Sequence, residues 1–123
     1  MWEIEKIPNK DNLFYRIHKN EIVEGIVVPG AFKERGEGES RGMSTNWDKY
    51  SSALELKNSS RIPSDNGIVK FSVEKIRNID QLKVCHAPLI KNRSHTHVIG
   101  IPRTSQLKTK IRKKLQDLSL IHI

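Results

Sequence analysis

The most constraining stretch of this chain is its carboxy-terminal run from Thr104 to Leu118. Leu107, Ile111, Leu115 and Leu118 recur there at offsets of four, four and three. That spacing puts four apolar side chains on one stripe of an α-helix, and the stripe must be covered by something. Thr104 or Ser105 can cap the start. Lys108, Lys110, Arg112, Lys113 and Lys114 fall on the other faces, so the helix is expected to lie on a sheet with its basic side outward.

The remaining chain supplies the sheet. Leu13 to His18 alternates Leu13, Tyr15 and Ile17 against Phe14, Arg16 and His18, which predicts a first strand. Ile26 to Val28, after a bend at Gly25, predicts a second. Residues 33 to 42 are too charged and too rich in glycine to pack, and read as a mobile surface loop. Met43 to Tyr50 predicts a short helical turn anchored by Trp47 and Tyr50 and capped by Ser44 or Thr45, which Ser51 to Leu56 can continue. Lys57 to Gly67 reads as another exposed loop. Gly67 to Phe71 is a strand, and Ser72 caps about two turns of helix through Val73, Ile76 and Ile79. Leu82 to His86 and His95 to Ile101 complete the strands, each stopped by a proline shortly after. The expected architecture is α+β: a small, mostly antiparallel sheet of four or five short strands packed by the carboxy-terminal helix. At 123 residues this is one domain, with residues 1 to 11 as a loose tether.

Composition bears on partners more than on fold. Lys and Arg number 22 against 14 Asp and Glu, a formal charge of +8, so the surface attracts polyanions. The one cysteine, Cys85, has no internal disulfide partner and is expected as buried packing. With no apolar run long enough to span a membrane and charges at Glu3, Glu5 and Lys6, a cytoplasmic protein is expected. The glycines of residues 36 to 42 lack the Gly-Lys-Ser/Thr ending of a phosphate loop, and no cofactor is implied.

Two functional readings follow. In the first, a non-enzymatic module engages a nucleic acid or an acidic protein partner through Lys108, Lys110, Arg112, Lys113 and Lys114, with Arg93 and Lys91 on a nearby loop. In the second, a small enzyme acts on a phosphate-containing or nucleotide substrate. His95 and His97, two apart on a strand, share one face, and a histidine titrates near working pH and can move a proton. His86, Arg93, Arg16 and Ser44 complete the candidate set, with Arg93 holding the anion. Both imidazoles can reach one divalent ion, so this reading includes a metal-dependent version, although two ligands are not a site and no metal residues are assigned.

Several residue patterns resemble known families. The His95-x-His97 spacing resembles the histidine-triad hydrolases, with Ile99 where their third histidine stands, and it lacks the His-x-Thr order of the two-histidine phosphoesterases. Arg16, then Ser44-Thr45-Asn46, then Glu55 or Glu74, resembles the Arg, Ser-Thr-Ser and Glu order of one branch of the ADP-ribosyltransferases. That likeness implies an arginine on dinucleotide phosphates and a serine motif bracing the pocket. Asn46 departs from its third position, and no Glu-x-Glu or Gln-x-Glu follows. The whole succession, from Tyr15-Arg16 through His86-Ala87-Pro88-Leu89 to the basic helix, is similar to small uncharacterised prokaryotic proteins, a likeness that implies no activity.

Overall fold

The computed structural model describes residues 1–122, with the side chain of Glu39 outside the description. Strand β1 (Asn12–His18) is followed by a small hairpin, β2 (Ile22–Val23) and β3 (Ile26–Val27). Next come β4 (Met43–Trp47), helix α1 (Ala53–Asn58), β5 (Asn66–Ser72), α2 (Val73–Arg77), β6 (Lys83–His86) and β7 (His95–Ile99). The chain closes with α3 (Ser105–Leu118) and β8 (Leu120–Ile121). Six strands form one sheet in the order β6-β7-β4-β1-β5-β8, and every pairing within it among the described residues is antiparallel. The α+β class and the helix-covered antiparallel sheet agree with the sequence reading, and the strand count exceeds it.

The extra strands have local causes. Glu24 and Gly25 both take positive φ, which reverses the chain in two residues and pairs Ile22–Val23 with Ile26–Val27 as a hairpin. The two residues of β8 add to the outer edge of β5. Met43 to Trp47 is a strand instead of the expected helical turn. Met43, Thr45 and Trp47 alternate onto the core face while Ser44 stays exposed, so the period is two and the Trp47/Tyr50 offset misleads.

Register divides the sheet into two faces. One carries Leu13, Tyr15, Ile17, Met43, Trp47, Val69, Phe71 and Val98, all buried in the main core with Val73 and Ile76 of α2 and Ile111 and Leu115 of α3. Burying Ile111 and Leu115 stabilises α3 by roughly 1.5–3 kcal/mol each. Leu107, expected on the same covered stripe, is 50% exposed, because it belongs to the first turn of α3 and α3 reaches the core only from Ile111 onward. Thr104 is the N-cap but its side chain makes no capping bond. The other face bears a smaller cluster, Phe14 and Ile68 under Ala53 of α1, and is otherwise open.

Residues 1 to 11 form no strand and are fastened instead of loose: Ile7 is buried, its carbonyl accepts from Arg77, and the Glu5 amide donates to His86 Nδ1. The loop of residues 33 to 42 is likewise tied down. Glu34 turns inward, its side chain 3% exposed, and Oε2 accepts from the amides of Gly100 and Ile101 while Oε1 pairs with Arg41. Arg35 and Gly42 exchange both backbone bonds across the loop. Cys85, expected in the core, is exposed, because β6 is an edge strand and Cys85 registers with His97 on the open face.

Candidate functional site

Strands β1 and β4 pair only at Leu13↔Trp47 and Phe14↔Asn46. Beyond Phe14 they part, while β1 stays paired to β5 along its whole length and β4 to β7 from Met43 to Asn46. Continuing the same register would set Arg16 opposite Ser44. Where the strands have separated lies a cleft of about 590 Å³ whose lining includes Arg16, His18, Lys33, Arg35, Ser44 and His95. That volume is in the range of small-molecule sites.

The charge of the cleft is lopsided. Lys33, Arg35 and Arg16 face a single lining carboxylate, Glu21. Glu21 lies 3.9 Å from Lys33 and is also occupied in accepting the His18 amide. Arg16 Nη1 donates to Ser59 Oγ at 3.1 Å and to the Leu56 carbonyl at 3.4 Å, so the end of α1 aims it without neutralising it. Among the described residues no carboxylate comes within ion-pair distance of Arg16 or Arg35. Tyr15 lines the inner wall and donates to the Ala31 carbonyl at 2.6 Å, and burial pushes its phenol pKa up.

On the opposite wall His95 is oriented from both sides. Its Nδ1 lies 2.8 Å from the Ala87 carbonyl, which can only accept, so the proton sits on Nδ1. In the neutral ring Nε2 is then the acceptor, and Ser44 Oγ is 3.2 Å away. The turn that carries Ala87 is closed by Leu89↔Asn92, by the Ala87 amide bonding the His95 carbonyl, and by Asn92 donating to Asn46. His97 stands edge-on to His95 with ring centroids 4.8 Å apart. Burial first, and the neighbouring His95 second, lower the pKa of His97, while Glu34 pulls the other way. Behind His97 the chain passes through Gly42, where a Cβ would meet the imidazole Cγ at 2.7 Å.

The candidates divide accordingly. Arg16, Ser44 and His95 meet in the cleft, and His97 adjoins it. His86 does not join them: it registers with Thr96 and points to the core face, 4% exposed, edge-on to Trp47. Both its nitrogens are used, Nδ1 by the Glu5 amide and Nε2 by the Arg93 carbonyl. Arg93 does not reach the cleft either. Its guanidinium stacks over Tyr50 at 4.1 Å and Trp2 at 4.9 Å and sits 3.8 Å from Glu5, none of them on α3. On α3, Lys110, Lys113 and Lys114 are exposed and Lys108 is half-buried, whereas Arg112 turns inward to the Phe32 carbonyl at 2.9 Å.

Of the residues behind the likeness to ADP-ribosyltransferases, Arg16 and Ser44 line the cleft. Thr45 is buried on the Thr96 carbonyl, and neither Glu55 nor Glu74 is part of the lining. Lys33 and Arg35 are cleft residues that the sequence did not single out, and His18 lines the cleft with them. No three His, Cys, Asp or Glu among the described residues are grouped to hold a metal ion. No helix among them is long and apolar enough to cross a membrane. Comparison with protein-family models, curated proteins and solved structures finds no match for the chain.

Proposed function

We propose that the protein binds a phosphate-bearing ligand of nucleotide size in the cleft between β1 and β4, with Arg16, Lys33 and Arg35 on the phosphates and His95 placed to move a proton. The observation that carries this reading is the parting of the two strands after Phe14, which opens a cleft lined by three cations and one preoccupied carboxylate. A dianionic or trianionic group supplies the missing charge, and guanidinium matches phosphate oxygens in pairs. Titration calorimetry with pyrophosphate and with ATP tests it. Binding should weaken about tenfold or more, some 1.4 kcal/mol, in each of Arg16→Gln and Arg35→Gln, with the melting temperature unchanged. Absence of binding at millimolar ligand, or affinity indifferent to both substitutions, refutes it.

A second reading, a polyanion along α3, is favoured by the position of Lys33. It lines the cleft and also a shallow depression with Arg41, Arg103, Lys108 and Arg112, so a mostly basic surface, interrupted by Glu34 paired to Arg41, joins the helix to the cleft. Reversing Lys110, Lys113 and Lys114 to Glu leaves the Arg112 bond to Phe32 intact. In a gel shift with single-stranded RNA it should abolish a strongly salt-dependent association. An unchanged shift rejects this reading.

A further inference from the structure

We infer that Ser44 is a nucleophile and His95 its general base, and that the pair acts on a phosphoester seated in the cleft. The inference rests on the phosphate reading above and goes beyond it, from binding to bond cleavage. A serine hydroxyl is a weak nucleophile unless a neighbouring base takes its proton and a third group holds that base in one tautomer. All three parts are present: Ser44 Oγ is 3.2 Å from His95 Nε2, and Nδ1 of the same ring is 2.8 Å from the Ala87 carbonyl. Here a main-chain carbonyl does the orienting that a carboxylate does in the Ser-His-Asp arrangement. The carbonyl is itself fixed, since Ala87 also gives its amide to the His95 carbonyl at 2.9 Å.

Accessibility separates this serine from structural ones. Ser52 and Ser72 spend their hydroxyls capping α1 and α2, and Ser94 is buried. Ser44 is exposed, and the one hydrogen bond of its hydroxyl among the described residues is that to His95. It lies on the central strand β4, not on a loop, with Met43 and Thr45 on either side packed into the core. Its oxygen is therefore held on a rigid support, which lowers the entropy cost of reaching an attacking geometry. The neighbouring His97 shares the face and stands edge-on to the ring of His95, with centroids 4.8 Å apart, which further fixes the orientation of the base.

The step balances with water as the one other reactant. Ser44 Oγ forms a bond to phosphorus as its proton passes to His95 Nε2. The phosphorus–oxygen bond to the leaving alcohol breaks, and the imidazolium returns the proton to that oxygen. Water then attacks the phosphoserine, gives its proton to His95, and Oγ leaves with it. Arg16 and Arg35 offset the charge that gathers on the phosphoryl oxygens.

A fluorophosphonate ester is the probe, because attack at its phosphorus expels fluoride and leaves a stable adduct readable by intact mass. One adduct per chain is expected, mapped to Ser44 and lost in Ser44→Ala. His95→Ala should slow labelling by about 100-fold, the scale of general-base assistance, and added imidazole should restore part of it. Near-ultraviolet circular dichroism checks that both variants keep the native fold. No adduct on the native protein, or labelling that His95→Ala leaves unchanged, overturns the pair. Pyrophosphate binding without labelling sinks this inference alone, whereas labelling without pyrophosphate binding sinks the phosphoester substrate and leaves the pair standing.

Discussion

Replacing Glu34 by alanine tests the fastening that delivers two of the cleft cations, since Lys33 and Arg35 flank it in sequence. Its carboxylate is 3% exposed and satisfies three donors, the Gly100 amide at 2.7 Å, the Ile101 amide at 2.6 Å and Arg41 Nε at 2.7 Å. Alanine leaves two main-chain amides and a part-buried guanidinium without acceptors. Each buried amide left without an acceptor costs about 1–3 kcal/mol, so with the Arg41 pairing also lost the total is about 3–5 kcal/mol. With a urea m-value of about 2 kcal/mol/M for a domain of this size, the unfolding midpoint should fall by roughly 1.5–2.5 M. Glutamine separates charge from shape: its amide oxygen can still accept both amides at the Oε2 position, while its NH₂ meets Arg41 donor to donor. The expected loss is smaller, about 1.5–3 kcal/mol. Equilibrium urea unfolding followed by tryptophan fluorescence reads both variants, and calorimetry should show weakened pyrophosphate binding in parallel. A midpoint within about 0.3 M of the native value for Glu34→Ala, well inside the shift those losses demand, refutes the reasoning.

Other expectations concern the core, the backbone and the open face. Leu115→Ala, at a fully buried position of α3, should cost about 2–5 kcal/mol by urea unfolding. Gly100→Ala should fail to yield a native fold, because residue 100 has φ of 119° and a Cβ there would sit 1.9 Å from the Gln81 carbonyl oxygen; a cooperative melt at the native temperature contradicts this. His97 binds its proton less tightly when folded than the ordinary value of 6.5. Its contribution to stability is therefore full above that value and is lost as pH falls through it toward the lowered native one, and His97→Asn should flatten that part of the urea-midpoint profile. Cys85 should react fully with a thiol reagent in the native state; a thiol titratable only in denaturant contradicts its exposure.

Much of the fold was legible because its signals are local. The alternation of Leu13 to His18, the Ser72 cap and the apolar spacing of Ile111 and Leu115 each declare an element within a few residues. What misled was local too. Trp47 and Tyr50 have helical spacing but meet edge-on across a strand end, and β8 is too short to carry a pattern. The cleft was only partly readable. Arg16, Ser44 and His95 stood out as residue types, but what joins them is a register that lapses after two pairs, a property of three strands distant in sequence. Lys33 and Arg35 were hidden in a loop whose charge argued for freedom, because the inward turn of Glu34 depends on amides more than sixty residues away.

The imidazole of His97 occupies the space where residue 42 would otherwise carry a methyl group. Any larger residue at that position must therefore displace that ring or the backbone beside it, and with it the edge-on packing of His97 against His95. Position 42 thus governs the placement of two imidazoles on the open face although it bears no polar side chain itself. A directed-evolution library that spared only the polar residues would disturb that face there and leave its inventory of acids, bases and nucleophiles complete.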